Sequence, residues 1–282
     1  MSSILTNNSA MVALQTLKSV NSNLAKTQDM ISTGKAIASA KDGSAIFAIS
    51  KVMESDSRGF KAISESLALG QSTVAVASAA AEQTVDVLQD IKALIVSANS
   101  ENVDHGKIQN EIAEKAAQVA SIVGAAQFNG ANLLASDVDG NGATSLSVLS
   151  SLDRVGTAAP TATSISVATV DFEANVDLVN NLTAITDASD AATALGEIET
   201  FLQTAIDGAA ALGASAARIE DQSNFVSKLT DAMKSGIGAL VDADMEEASA
   251  RLQSLQVQQQ LATQSLSIAN QAPQAILQLF RG

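Results

Sequence analysis

From Leu252 to Phe280 the chain runs 29 residues without one Asp, Glu, Lys or Arg, and fills them with Gln, Ala, Ser and Leu. A helix with one side in water normally carries charge on that side. This stretch does not, and it is too polar for lipid; no segment reaches the roughly 20 apolar residues of a membrane span. Its spacing is nevertheless regular. Met245, Ala248, Leu252, Leu255, Gln259, Ala262, Leu266, Ala269, Pro273 and Ile276 alternate steps of three and four, the seam of a coiled-coil-like helix. Ala10, Ala13, Leu17, Val20, Leu24, Thr27 and Ile31 repeat that pattern at the other end. Pairing the two seams hides one face of each helix. Leu261, Ile268 and Leu277, set among Gln, Ser and Thr, stay uncovered. Neutral amides and hydroxyls hydrogen-bond between helices without the desolvation cost of a buried ion. The stretch therefore suits a helix surrounded by copies of itself.

Charge is distributed accordingly. Residues 1–35 carry Lys18, Lys26 and Lys35 against Asp29, a net +2, and residues 243–282 a net −1. Of the total of −14, the middle of the chain therefore holds −15. No basic face for nucleic acid is visible. Aromatic residues make up only 2%, with no Trp or Tyr, so the 282 residues point to long helices and shallow packing. Without cysteine there is no disulfide, thiol nucleophile or thiolate metal site, which also suits a chain that crosses an oxidising space unfolded. The opening MSSILTNNSAMVAL lacks the basic and apolar regions of a Sec-type signal.

The patterning predicts a first helix over 4–31, ended by Gly34, then a loop at Ala38–Ala45 with Asp42 or Ser44 capping the next helix. That helix runs from Ser44 to Ser97 with Gly59 and Gly70 as weak points, and another spans Val103–Gln127 until FNGANLL breaks it. Between 135 and 184, TSLSVLSSL and TSISVAT alternate polar and apolar residues and read as a strand pair. Helix resumes over Asp187–Ser235, SGIGALVDAD interrupts it, and the last helix starts near Asp242 with Asp242, Asp244, Glu246 and Glu247 at its positive end. The expected fold is mainly α: a discontinuous long-helix bundle with coiled-coil-like terminal helices and a small β-hairpin region.

Five pieces together resemble bacterial flagellin: SAKD (Ser39–Asp42), QFNG (Gln127–Gly130), LGA with a following Arg (Leu212–Ala214, Arg218), DAD (Asp242–Asp244), and QQLATQSLSIANQAPQAILQLF. The resemblance covers about 1–135 and 185–282. It implies an inner terminal-helix domain (1–35 and 243–282), an outer helical bundle (36–135 and 185–242) and a short hairpin or variable insert (136–184). It implies a structural, non-enzymatic subunit, secreted unfolded through the flagellar export apparatus, that polymerises into a helical tube for swimming. Its implied partners are further copies of itself, the flagellar cap, junction proteins and an export chaperone. Leu17, Leu24, Leu252, Leu255, Leu266 and Ile276 are the expected inner-layer assembly residues. Leu88, Ile91 and Leu94 are those of the outer layer. Ordering some 75 terminal residues costs on the order of 100 kcal/mol, so the tails are expected to fold only on assembly.

LQDIKALIVSAN (Leu88–Asn99) aligns with the stretch that the flagellin-sensing Toll-like receptor grips. Strongly recognised members have Arg after the Leu-Gln pair; here Asp90 follows Gln89, which implies a poor ligand. Two rivals share part of the pattern: a hook–filament junction protein and an intracellular coiled-coil adaptor. The adaptor would have charged outer faces, which the tails lack. An enzyme is a remote third reading. The lone His105 reads as a turn residue, and no phosphate loop, GxSxG or HExxH is present. Asp137–Gly142 fits the opening of a calcium loop, but the twelfth position is Val148 where Glu is needed, so a Gly/Asp turn is expected. Ser and Thr between 144 and 169 could accept O-linked glycans or serve as ordinary strand residues. No cofactor or metal is called for.

Overall fold

The computed structural model describes residues 7–154 and 159–279, with side chains placed as far as Gln271. The elements follow in the order α1 (Asn8–Thr33), α2 (Ser44–Ala98), α3 (His105–Ala125), β1 (Gln127–Phe128), β2 (Ala131–Asn132), β3 (Ser145–Asp153), β4 (Thr161–Ala168), α4 (Phe172–Asn175), α5 (Leu178–Asn181), α6 (Ala188–Val241) and α7 (Met245–Leu279). The chain forms two compact units, residues 1–55 with 232–282 and residues 56–231. It passes between them inside α2 and again inside α6. The mainly α expectation with small antiparallel strand pairs holds.

In the first unit α1 packs along α7. Asn7 starts α1 by accepting the Ala10 N–H at 3.0 Å, and Gly34 ends it in the left-handed conformation at φ 69°. Beyond Gly34 the chain pairs with the DAD segment. Ala36 N–H donates to the Val241 carbonyl at 2.7 Å, and Ala243 N–H to the Gly34 carbonyl at 3.0 Å. Two boundaries differ from expectation. Asp42 does not cap α2, because its carboxylate turns back to the Ser39 N–H and hydroxyl at 3.0 and 2.9 Å. Nor does α6 break at SGIGALVDAD; it continues to Val241, and Asp244 caps α7 by accepting the Glu246 and Glu247 N–H groups.

The second unit is built on heptad spacing. Leu67, Val74, Ala77, Ala81, Leu88, Ile91, Ile95 and Ala98 of α2 are buried at steps of three, four or seven. Ile112, Ala116, Val119 and Val123 of α3 and Ile198, Leu202, Leu212, Ile219 and Val226 of α6 are buried as well.

The hairpin β3–β4 pairs antiparallel from Ser145↔Ala168 to Asp153↔Thr161, with a register shift between Leu149 and Ser151. That bulge leaves the Ser150 carbonyl to accept the Gln222 side-chain amide of α6 at 2.8 Å. The hairpin lies on the two glycines of α2: a Cβ on Gly70 would fall 2.6 Å from Val148, and one on Gly59 would fall 2.9 Å from Leu152. These glycines are seats for the hairpin, and α2 continues through both.

A second, two-residue hairpin, β1–β2, stands where only a helix break was expected. Its turn residues Asn129 and Gly130 both have positive φ, 52° and 84°, as the Asn-Gly dipeptide favours.

Candidate assembly surfaces

The candidate inner-layer residues all fall on the α1–α7 pair. Leu255 is buried there together with Val20, Thr27, Ala248 and Ala262; Leu17, Leu24, Leu252 and Leu266 are half-buried. The Ile276 side chain lies outside the described residues. Between the helices the polar contacts shown are neutral: Gln259 Nε2 donates to Asn21 Oδ1 at 2.7 Å, and Asn7 Nδ2 donates to the Ala269 carbonyl at 2.7 Å. Amide–amide and amide–carbonyl bonds here take the place an ion pair would occupy on a charged helix.

The pairing leaves apolar side chains facing out. On α1 these are Met11, Val12 and Leu14, and on α7 Met245, Val257, Leu261 and Ile268, the last two 56% and 70% exposed. In the same unit Ile46, Ile49 and Val52 of α2 are exposed too. Leu261 and Ile268 were legible as residues off the seam. The α1 residues Met11, Val12 and Leu14 were not singled out, although each is an apolar side chain outside a seam position, the signal that finds them; Ile46 and Ile49 fall on the three-and-four continuation of the α2 row and gave no such signal.

The candidate outer-layer residues separate. Leu88 and Ile91 are fully buried inside the second unit. They were expected to contact neighbouring copies, but they occupy seam positions of α2 and are consumed by the chain's own core. Leu94 is half-buried; Gln89 and Asp90 are exposed. Asp90 accepts an ion-paired hydrogen bond from Lys115 of α3 at 2.9 Å, and Lys92 pairs with Glu199 of α6. Any outward contact of this stretch therefore falls to the exposed Gln89, Asp90, Ala93, Val96, Ser97 and Asn99 and the half-buried Lys92 and Leu94.

The remaining candidates have structural occupations. The His105 Nε2–H donates to the Ala98 carbonyl at 2.9 Å, satisfying the end of α2, while Asp104 caps α3. In the Asp137–Gly142 turn, Asp137 accepts the Gly142, Ala143 and Asp139 N–H groups. Those backbone donors, Gly142 foremost, hold its pKa below the ordinary 3.8. Its carboxylate is thus spent on its own loop. Among the described residues, no group of three or more His, Cys, Asp or Glu side chains is arranged to hold a metal ion. Arg154, at the end of β3, grips Asp56 of α2 with Nε at 3.0 Å and Nη2 at 2.6 Å, and this carboxylate raises the guanidinium pKa.

The second unit also carries an apolar groove of about 450 Å³ between α3 and the α4–α5 segment. Val119, Val123, Val176 and Leu178 line its floor; Glu173 and the 64% exposed Val179 stand at its edge. Sequence reasoning missed this groove because it depends on where α4 and α5 land on α3.

Comparison with known proteins gives a consistent result. A family described as the bacterial flagellin N-terminal helical region matches residues 4–139, and the bacterial flagellin C-terminal helical region matches residues 195–280. The flagellin of Brucella melitensis biotype 1 is 42% identical over 289 residues, covering 100% of both chains. Flagellin FljK of Caulobacter vibrioides is 38% identical over 284 residues, covering 100% of this chain and 99% of that one. A crystal structure of Bacillus cereus flagellin aligns at 17% identity and a TM-score of 0.48, covering 56% of this chain and 86% of that chain.

Proposed function

The chain belongs to the bacterial flagellin family and is a structural subunit of the flagellar filament, an extracellular appendage; from that premise we propose that it works as two layers with separate tasks. Residues 1–35 and 243–282 form the inner, tube-lining layer. Residues 36–135 and 185–242 form the outer helical layer, and 136–184 the short insert. One observation carries this reading: α1 and α7 leave uncharged, apolar rows exposed after pairing with each other. Such rows are a liability on a free protein and an asset between copies. Leu17, Leu24, Leu252, Leu255, Leu266 and Ile276 hold the inner pair together, while Leu261 and Ile268 meet the neighbours.

The role is mechanical, with no catalytic step. The subunit is secreted unfolded, with an export chaperone, cap and junction proteins as its partners, and its tails order as they are enclosed. The Asp90–Lys115 pair supports the reading that this chain is a poor ligand of the flagellin-sensing receptor, since a carboxylate stands where recognition calls for a cation. Receptor-reporter assays on purified monomer should stay near background; strong signalling would remove that part. The full-length relatives carry the name flagellin, and neither the junction-protein nor the adaptor reading gains an observation.

The layered reading is tested by hydrogen exchange on free chain and filament, with filaments verified by electron microscopy. Amides of α1 and α7 should exchange rapidly in the monomer and slowly in the filament. Equal protection in the two states would refute it.

A further inference from the structure

The second unit holds a knob and a hole that do not meet within one chain. The hole is the groove between α3 and the α4–α5 segment. Its floor is apolar, and its edge carries the exposed Glu173 and the half-buried Asp177, which caps α5. The knob is Phe225 on α6. It is 57% exposed, one of only seven Phe in the chain, and the largest exposed apolar side chain of the unit. Exposed Arg218 and Lys228 lie seven residues before and three after it, on its own helical face, with Asp221 between them. Phe225 does not line the groove.

We infer that the α3/α4–α5 groove receives Phe225 of a second copy of this chain, with Lys228 of that copy facing Glu173. Three considerations select a second copy. The filament places identical chains side by side at high local concentration. Lys228, three residues beyond the knob, complements the acidic edge of the hole. And a knob joined to a distant hole is a heterologous contact, which leaves one free knob and one free hole after every addition and so propagates an open polymer. An exposed aromatic set into a preformed apolar pocket is also the usual form of an interface hot spot. Val96 and Leu69 are exposed in the same unit but are smaller and lack this pairing of charge.

The inference rests on the proposal that the outer helices pack against neighbouring subunits. The absence of native cysteine permits a clean test. Chains carrying both Val179→Cys and Phe225→Cys, assembled and treated with a short bismaleimide, should give a ladder of dimers and higher multimers. The same chains diluted as monomers should give none. Filaments without the ladder, or an internal cross-link in the monomer, overturn the assignment and leave the groove to another occupant. Failure of the unaltered chain to form filaments overturns the layered reading instead. If either cysteine blocks assembly, charge exchange decides. Glu173→Lys should raise the critical concentration about two- to fivefold, the range of one exposed ion pair, and adding Lys228→Glu should restore it. No recovery in the double variant overturns the pairing.

Discussion

Gly70 and Gly213 are both helical glycines, and a propensity scale treats them alike. Their surroundings do not. A Cβ at Gly70 would fall 2.6 Å from a Val148 methyl and 3.2 Å from its Cβ, so the strand itself must shift. At Gly213 nothing lies within 4 Å. Gly213→Ala should therefore stabilise the chain by about 0.5–1 kcal/mol through helix propensity. Gly70→Ala should lose about 1–3 kcal/mol net as the hairpin is pushed off its seat. Urea denaturation of the two variants checks the opposite signs; equal shifts would mean the hairpin does not rest on that glycine. Asp137 makes a second residue-level prediction. Its folded pKa is depressed by the N–H donors of its own loop, so its contribution is full above the ordinary 3.8 and fades as pH falls through the lower folded value. Exchange of the Gly142 and Ala143 amides should accelerate, relative to neighbouring loops, only in that acid window. Asp137→Asn should show the faster exchange already at neutral pH.

At the level of elements, α7 presents two leucines six residues apart with different surroundings. Leu255 is buried against its own chain and Leu261 is mostly exposed. Leu261→Lys should leave the melting of the second unit unchanged, because that unit does not contain it. It should raise the critical concentration for polymerisation more than tenfold, since a lysine enclosed by uncharged neighbours lacks a partner. Sedimentation of variant and parent chains measures this, and unaltered assembly would place α7 outside the enclosed layer. Periodicity made these helices legible: the three-and-four spacing marked α1 and α7, a long helical pattern marked α2, and the absence of charge marked the Leu252–Phe280 stretch. Periodicity did not say which side of a seam residue the chain itself would fill. Leu88 and Ile91 read as contacts between copies, and both are buried in the chain's own second unit. Gly59 and Gly70 read as weak points because a seat is visible only once the hairpin lies on it. The β1–β2 hairpin had a local signal in Asn129–Gly130, masked by the helix that ends just before it. The continuation of α6 through Gly236 and Gly238 reflects contacts from outside the segment: Met53 Cε would lie 3.3 Å from a Cβ at Gly236.

For the whole molecule the deciding quantity is the division of charge. Residues 56–231 hold 23 acidic and eight basic side chains, a net −15, while the remaining residues hold seven acidic and eight basic, a net +1. On the proposed layering, assembly through the nearly neutral terminal helices brings strongly anionic units of successive copies together. Exposed like charges repel over a Debye length of about 10 Å at 0.1 M salt and about 30 Å at 0.01 M. At low ionic strength each unit feels several neighbours, and at physiological salt only those in contact. Two effects then compete as salt rises: loss of this general repulsion favours assembly, and screening of a local Glu173–Lys228 pair opposes it. The general term involves many charges per subunit and the local one a single exposed pair worth about 0.2–1 kcal/mol, so the general term wins. The critical concentration should fall steeply as sodium chloride rises from about 0.01 to 0.15 M, then level off once the Debye length drops below the spacing between neighbouring units. Pelleting assays across that series test the argument. A critical concentration that climbs with salt would show that attraction between opposite charges, rather than burial of the nearly neutral terminal helices, holds the copies together.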